Sequence, residues 1–479
     1  MMGCWRHSLG RVLQVRRRVL RLLLVGSFAS LVSAGTAMAA ETLSLHIPSK
    51  KVTLPNGLTV VVSEKHKLPI VHVSVRVKVG SAHDPEDKAG LADLTARLLD
   101  KGTMQRTAAD IADEVDFLGA HLDASAGATG STASLALLAK DVERGLDLLG
   151  DILQHPRFEP AELERERGQM LAQIQQRRVN PPKVVSETFR DMLYAKHPLH
   201  RPISGYQQTV SRLSRDDVIA FHREFYVPNN AIVVMVGDFP EDKMVELIQR
   251  HLGGWQAGTS PPTALPPLTP IQGKQVHIVD MDVNQSYLQF GHLGVRRADP
   301  EYAILRAMNY ILGGGGFVSR LTHSIREEQG LAYSVFSEFV GGSQTPGFFI
   351  AGLQTRIDTT SQALNSLFTV LEGMKREPVT AEELTDMKLY FEGSLPRRAE
   401  TYGQVAELLV DREFFGVPDG YWESEINRIQ QLTSQDIQHV AQRYLDTDNF
   451  VLAVVSKRER LQLSVAALPA GAIAYVPAP

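Results

Sequence analysis

Asp93 and Arg97 stand four residues apart in GLADLTARLLDKGT, the stretch from Gly90 to Thr103. Leu91, Leu94, Leu98 and Leu99 recur there at helical spacing, so one face of a short helix is core and the two charged residues are neighbours on it. A carboxylate alone can ligate a cation; a carboxylate beside a guanidinium makes an ion pair, which on an open surface is worth only a few tenths of a kcal/mol. A second stretch, LGGGGFVSRLTHSIREEQGLAYSV, carries the run Gly313, Gly314, Gly315 and Gly316. Four glycines raise a phosphate cradle, but no Lys-Ser or Lys-Thr follows to complete a P-loop. The run reads instead as a flexible loop at a cleft rim, followed by a helix from about Phe317 to Glu328, Gly330 as its C-cap and then a strand. Three histidines are read as structural: His83 in the loop SAHDPED, and His197 and His200 in the turn HPLHRPISG.

Composition removes other chemistries. The chain has 479 residues, enough for two or three domains, with an ordinary hydrophobic fraction. Residues 1–21 contain six arginines and no acidic residue; an apolar run from Leu22 to about Val32 and Ala37-Met38-Ala39 follow. That is the pattern of an export signal over residues 1–40, its apolar part shorter than the roughly 20 residues of a membrane span, with an uncleaved anchor kept as the alternative. Arg16-Arg17-Arg18-Val19-Leu20-Arg21 also resembles a twin-arginine signal, so the secretory and twin-arginine routes both stay open. Without residues 1–40 the chain has 44 basic and 54 acidic residues, a net charge of −10, which argues against nucleic acid as a partner. The only cysteine, Cys4, lies in the signal, which excludes a cysteine nucleophile or a thiolate-ligated metal in the mature chain.

The elements that position these residues come in two copies. LSRDDVIAFHREFYVPNNAIVVMVGD, from Leu213, aligns without gaps with LTSQDIQHVAQRYLDTDNFVLAVVSK, from Leu432, at an offset of 219. In each, Ser214 or Thr433 caps a helix, an Asn turn ends it (Asn230, Asn449), and a β-branched strand follows. At the start of the chain a hairpin turns at Pro55-Asn56-Gly57, before a strand alternating through Val73, Val75, Val77 and Val79. HLGGWQAGTSPPTALPPLTPIQGKQ, rich in proline and glycine, separates the halves. The expected architecture is α+β: two duplicated domains, each an antiparallel sheet covered by helices. Their bounds are 41–252 and 275–465, with a linker at 253–274 and a loose tail at 466–479.

VKVGSAHDPEDKAGLADLTARLLDKGT, FEPAELERERGQMLAQIQ and LGGGGFVSRLTHSIREEQGLAYSV, in that order, make the chain resemble the pitrilysin and insulinase (M16) zinc metallopeptidases over roughly residues 45–465. Active members of that family carry His-x-x-Glu-His on the helix after the glycine-serine turn. Two imidazoles at i and i+4 hold zinc there and the Glu activates water, while a further Glu ligand comes from a helix about 76 residues on. The resemblance places the two histidines at Asp93 and Arg97, the catalytic Glu at Ala96 and the distant ligand at Gln173. All four positions are altered, so the chain is expected to bind no metal and to show no zinc peptidase activity alone. The ion pair of Asp93 and Arg97, with Gln173, is expected to fill the emptied pocket.

The same resemblance implies that Arg326 and Tyr333, seven residues apart, reach towards a zinc site carried elsewhere. The Arg would grip a substrate carbonyl or carboxylate, and the Tyr hydroxyl would donate to the developing oxyanion. Small members of the family form heterodimers with metal ligands on one subunit and the Arg–Tyr pair on the other. The expectation is therefore a non-catalytic, periplasmic subunit of an exported metallopeptidase. Zinc would sit on a homologous partner, with peptides or unfolded proteins as substrates and a homodimer possible when the chain is alone. Two other readings are carried: a catalytically inert peptide-binding or scaffold protein, and an autonomous hydrolase with a rebuilt metal site.

Overall fold

A computed structural model describes residues 47–259, 264–394, 396–463 and 473–476; the expected export signal and Cys4 lie outside them. Asn56-Gly57 turns the first hairpin, where Gly57 takes φ +86°, a conformation that costs a side-chain-bearing residue heavily. The strands it joins, β1 (Lys50–Thr53) and β2 (Thr59–Glu64), begin a six-stranded sheet completed by β3 (Ile70–Val77), β4 (His121–Ala126), β5 (Ser131–Leu138) and β6 (Ala231–Gly237). Its order is β1-β2-β6-β3-β5-β4. The second sheet contains β7 (Lys274–Asp280), β8 (Gln285–Leu293), β9 (Ala332–Val340), β10 (Phe348–Arg356), β11 (Phe450–Ser456) and β12 (Ile473–Val476), in the order β12-β7-β11-β8-β10-β9. Adding five to each number of β2-β6-β3-β5-β4 gives β7-β11-β8-β10-β9, so the duplication read from one 26-residue alignment extends to the topology. The repeated helix, Arg215–Phe225 in one half and Ser434–Tyr444 in the other, is opened in both copies by a capping box, Ser214 with Asp217 and Thr433 with Asp436.

Three expectations need correction. The sheets are mixed, not wholly antiparallel: β6 runs parallel to β2, and β11 parallel to β7. Each of these strands returns after a long helical crossover, a connection that permits parallel pairing where a hairpin does not. The tail is not loose throughout, because Ile473–Val476 pairs parallel with β7 and covers that sheet edge. Lys274, assigned to the linker, opens β7. The segment before it is held against the first half: the buried Trp255 donates from Nε1 to Tyr226 O (3.1 Å), and His197 Nε2 to Pro266 O (2.9 Å).

β6 and β11 are buried at all seven positions, which requires both faces of each sheet to be covered. One face of each sheet carries helices of its own half. The other face is covered by a helix from the opposite half. Val184, Val185, Phe189, Met192 and Leu193 of the helix Pro181–Tyr194 pack on Val279, Ile350, Val451, Ala453 and Val455 of the second sheet. In return Val405, Ala406, Leu409 and Val410 of the helix Tyr402–Phe415 pack on Val61, Ile232, Val234 and Val236 of the first. This exchange makes the two sheets parts of one structure.

Candidate functional site

In the first half the site positions sit on the helix Leu91–Leu98. Gly90 precedes it at φ +99°, where a Cβ would approach Val210 Cγ2 to 2.9 Å. Buried Asp84 stands in for an N-cap, accepting from Gly90 N (2.8 Å) and Ala92 N (2.9 Å). Burial pushes its carboxyl up to about 7, against the opposing pull of those N–H groups and of Arg201. One turn on, Asp93 is only 7% exposed, and Arg97 donates from Nε to Asp93 Oδ1 at 3.1 Å. Its Nη2 donates to Gln173 Oε1 at 2.9 Å, across 76 residues of sequence. The helix Pro160–Arg178 delivers Gln173, and the Arg97 side chain keeps 25% exposure. Ala96 is fully buried. Burial raises the Asp93 carboxyl while the Arg97 guanidinium opposes the rise.

These residues do not suit zinc. The single carboxylate and the amide oxygen are already engaged by a permanent cation, and a methyl group stands where a base is needed. Among the described residues no group of three or more His, Cys, Asp or Glu is arranged to hold a metal. The histidines serve the chain: His83 Nδ1 engages Gly80 of its own turn, and His200 Nδ1 contacts Asp191 (3.0 Å). His197 accepts from Leu199 N at Nδ1 (3.2 Å), leaving Nε2 to donate to the linker carbonyl.

In the second half the backbone is irregular at every site residue. The helix Tyr302–Asn309 passes into a π-helical turn, Tyr310–Gly314. Here the glycine run is less free than its composition suggests. A Cβ on Gly313 would come within 2.4 Å of Ser337 Oγ, and one on Gly314 within 2.6 Å of Asn309 Nδ2. Asn309 Nδ2 donates to Ser337 O (3.0 Å) and receives at Oδ1 from Ser337 Oγ (2.7 Å), fastening the turn to β9. Only Gly316, at φ +62° with no neighbour near its Cβ position, is open. The helix expected from Phe317 is instead a 3-10 turn, Gly316–Val318, separated from a π-helical segment, Thr322–Glu328. Ser319 breaks the run by donating from Oγ to Gly316 O (2.7 Å).

Arg326 lies on that π-helical segment, a form frequent at functional sites. Tyr333 is the extra residue of a bulge, since Gln354 pairs with Ser334 and Thr355 with Ala332. The bulge turns Tyr333 outward, to 82% exposure. Arg326 Cζ then sits 4.6 Å from the Tyr333 ring centroid and 4.7 Å from that of Phe317, in contact with both rings. Among the described residues neither the Arg326 guanidinium nor the Tyr333 hydroxyl takes part in a hydrogen bond or ion pair. A guanidinium stacked on aromatic faces keeps its in-plane N–H donors for a planar oxygen acceptor. By sequence Phe317 stands at a helix start, and no local periodicity marks this contact.

Two family descriptions match the chain, one over most of each half. A family described as insulinase (peptidase family M16) matches residues 59–207, and one described as peptidase M16 inactive domain matches residues 212–390. An uncharacterized zinc protease of Mycobacterium leprae is 30% identical over 327 residues, 67% of this chain and 73% of its own length. The non-peptidase homolog YmxG of Helicobacter pylori is 24% identical over 404 residues, 84% of this chain and 92% of its own length. Among solved structures, a peptidase M16 inactive domain from Pseudomonas fluorescens superposes with a TM-score of 0.81 at 26% identity, covering 88% of this chain and all of that one. The periplasmic protease PqqL of Escherichia coli shares the fold at a TM-score of 0.71 and 18% identity, with 87% of this chain matching 48% of that one. The chain belongs to the M16 peptidase family.

Proposed function

We propose that this chain is the non-catalytic subunit of an exported, periplasmic M16 peptidase, lending Arg326 and Tyr333 to the zinc site of a homologous partner. The observation that carries this reading is Arg326 itself. Among the described residues this guanidinium has no carboxylate partner, and it rests against two exposed rings, an ordering that costs side-chain entropy and leaves its donors unused within its own fold. Presented to a substrate, it grips a peptide carbonyl or carboxylate in its plane. The Tyr333 hydroxyl, also without a partner among the described residues, donates to the oxygen that gains negative charge as the carbonyl is attacked. The metal and the base belong to the partner, because Asp93, Ala96, Arg97 and Gln173 supply neither. That 87% of this chain matches about half of PqqL supports a paired arrangement of two such units.

The test is a peptidase assay with zinc analysis on three samples: this chain, a His-x-x-Glu-His homologue from the same organism, and the two co-purified. Activity only in the mixture, with zinc following the homologue and loss on Arg326→Ala or Tyr333→Phe, is the expected result. A homologue fully active alone, or a mixture indifferent to both substitutions, would replace this reading with that of a peptide-binding or scaffold protein.

A further inference from the structure

We infer that Phe317 is a positioning residue: stacked on Arg326, it fixes the plane in which that guanidinium meets substrate. The inference rests on the trans-site reading above. Three observations carry it. Phe317 is 65% exposed, so burial of its ring does not explain its place. Its ring centroid lies 4.7 Å from Arg326 Cζ, matching the 4.6 Å to Tyr333. The turn that presents it is built for the purpose by Gly316 at φ +62°, Ser319 Oγ bonded to Gly316 O, and close-packed Gly313 and Gly314. A long arginine side chain has several rotatable bonds and loses freedom on ordering. With one ring it can still swing off the free face. With two rings in contact its range is narrower, while its N–H groups stay available to substrate.

The glycine run thereby gains a definite role. It carries an aromatic wall for the arginine of the following segment, and need not touch substrate itself. Tyr333 has two tasks, wall and hydroxyl donor, whereas Phe317 has only the first. Losing Phe317 therefore weakens substrate and transition-state binding alike, which raises KM and leaves kcat nearly unchanged.

The experiment uses the co-purified pair and a quenched fluorescent decapeptide. Phe317→Ala is expected to raise KM about five- to tenfold with kcat within about twofold. Phe317→Tyr, which keeps a π face, restores KM; Phe317→Leu, which keeps apolar bulk but no π face, behaves like Ala. Thermal melting should be the same for all three, since the side chain is exposed. If Arg326→Ala abolishes activity while Phe317→Ala leaves KM unchanged, or if Leu rescues as well as Tyr, the positioning role is wrong and the trans-site reading stands. If neither Arg326→Ala nor Phe317→Ala changes activity, the trans-site reading fails and this inference falls with it.

Discussion

The two halves hold one cation each at their site positions and treat it in opposite ways. Arg97 is engaged on two edges, by Asp93 and Gln173, on regular helices that bury the carboxylate. Arg326 is in contact with two aromatic rings and, among the described residues, has no hydrogen bond or ion pair from its guanidinium, on a π-helical segment beside a bulged strand. Edge engagement satisfies a guanidinium and closes the site. Face stacking orders it while sparing the donors that recognise oxygen. On the proposed reading, the difference teaches that a duplicated fold can retire one site and retain another through which groups of the same side-chain type are engaged.

Several experiments would break or sharpen that contrast. The largest effect belongs to the open site: in the reconstituted pair, Tyr333→Phe should lower kcat on the order of 100-fold, as loss of an oxyanion donor does. Arg97→Ala in the same pair should leave peptidase rates within about twofold, and a large loss there would erase the distinction between the sites. Next, rebuilding the ligand set with Asp93→His, Ala96→Glu, Arg97→His and Gln173→Glu should give one zinc per chain by metal analysis, where the unaltered chain gives none. Failure to bind would mean that the helices themselves have moved apart.

Smaller effects concern what holds the halves together. Phe189→Ala, on the helix that crosses to the second sheet, should cost about 3–5 kcal/mol in denaturant unfolding. The expression of either half alone should give aggregated protein, since each sheet would expose the face that the other half's helix covers. Asp84 gives a pH signature. Its folded carboxyl titrates at about 7, above the unfolded value near 3.8, so the folded state holds the proton more tightly. Its contribution is full below pH 3.8 and is lost as pH rises through 7. His222, pushed down to about 4 by burial, slopes the other way over an overlapping range. The stability of Asp84→Asn minus that of the unaltered chain isolates the carboxyl, and should climb by about 1–3 kcal/mol between pH 4 and 7. Smallest, a double-mutant cycle between Asp93 and Arg97 should give a coupling of about 1 kcal/mol, above an open surface pair because Asp93 is buried.

Much of this was legible without coordinates because it is local. The helix carrying Asp93 and Arg97, the caps at Ser214 and Thr433, and the hairpin at Gly57 follow from spacings of four residues or fewer. The 219-residue offset announced the duplication because the two copies must satisfy the same packing. The altered ligand positions were likewise visible as residue types. The neighbourhood of Phe317 was not, since π-helical and 3-10 turns lack a periodicity of their own and the sequence from Phe317 to Glu328 scans as ordinary helix.

What the chain's sequence determined by itself is therefore most of its local elements, their repetition and the residue types at positions 93, 96, 97 and 173. Tertiary structure alone decided four further things: the parallel entry of β6 and β11, the recruitment of Ile473–Val476 as an edge strand, the exchange of helices between sheets, and the stacking of Phe317 and Tyr333 on Arg326. The reason is range. Turn, cap and helix energies depend on a few neighbouring residues, whereas each of these four depends on which apolar faces and donors remain uncovered once the whole chain has packed.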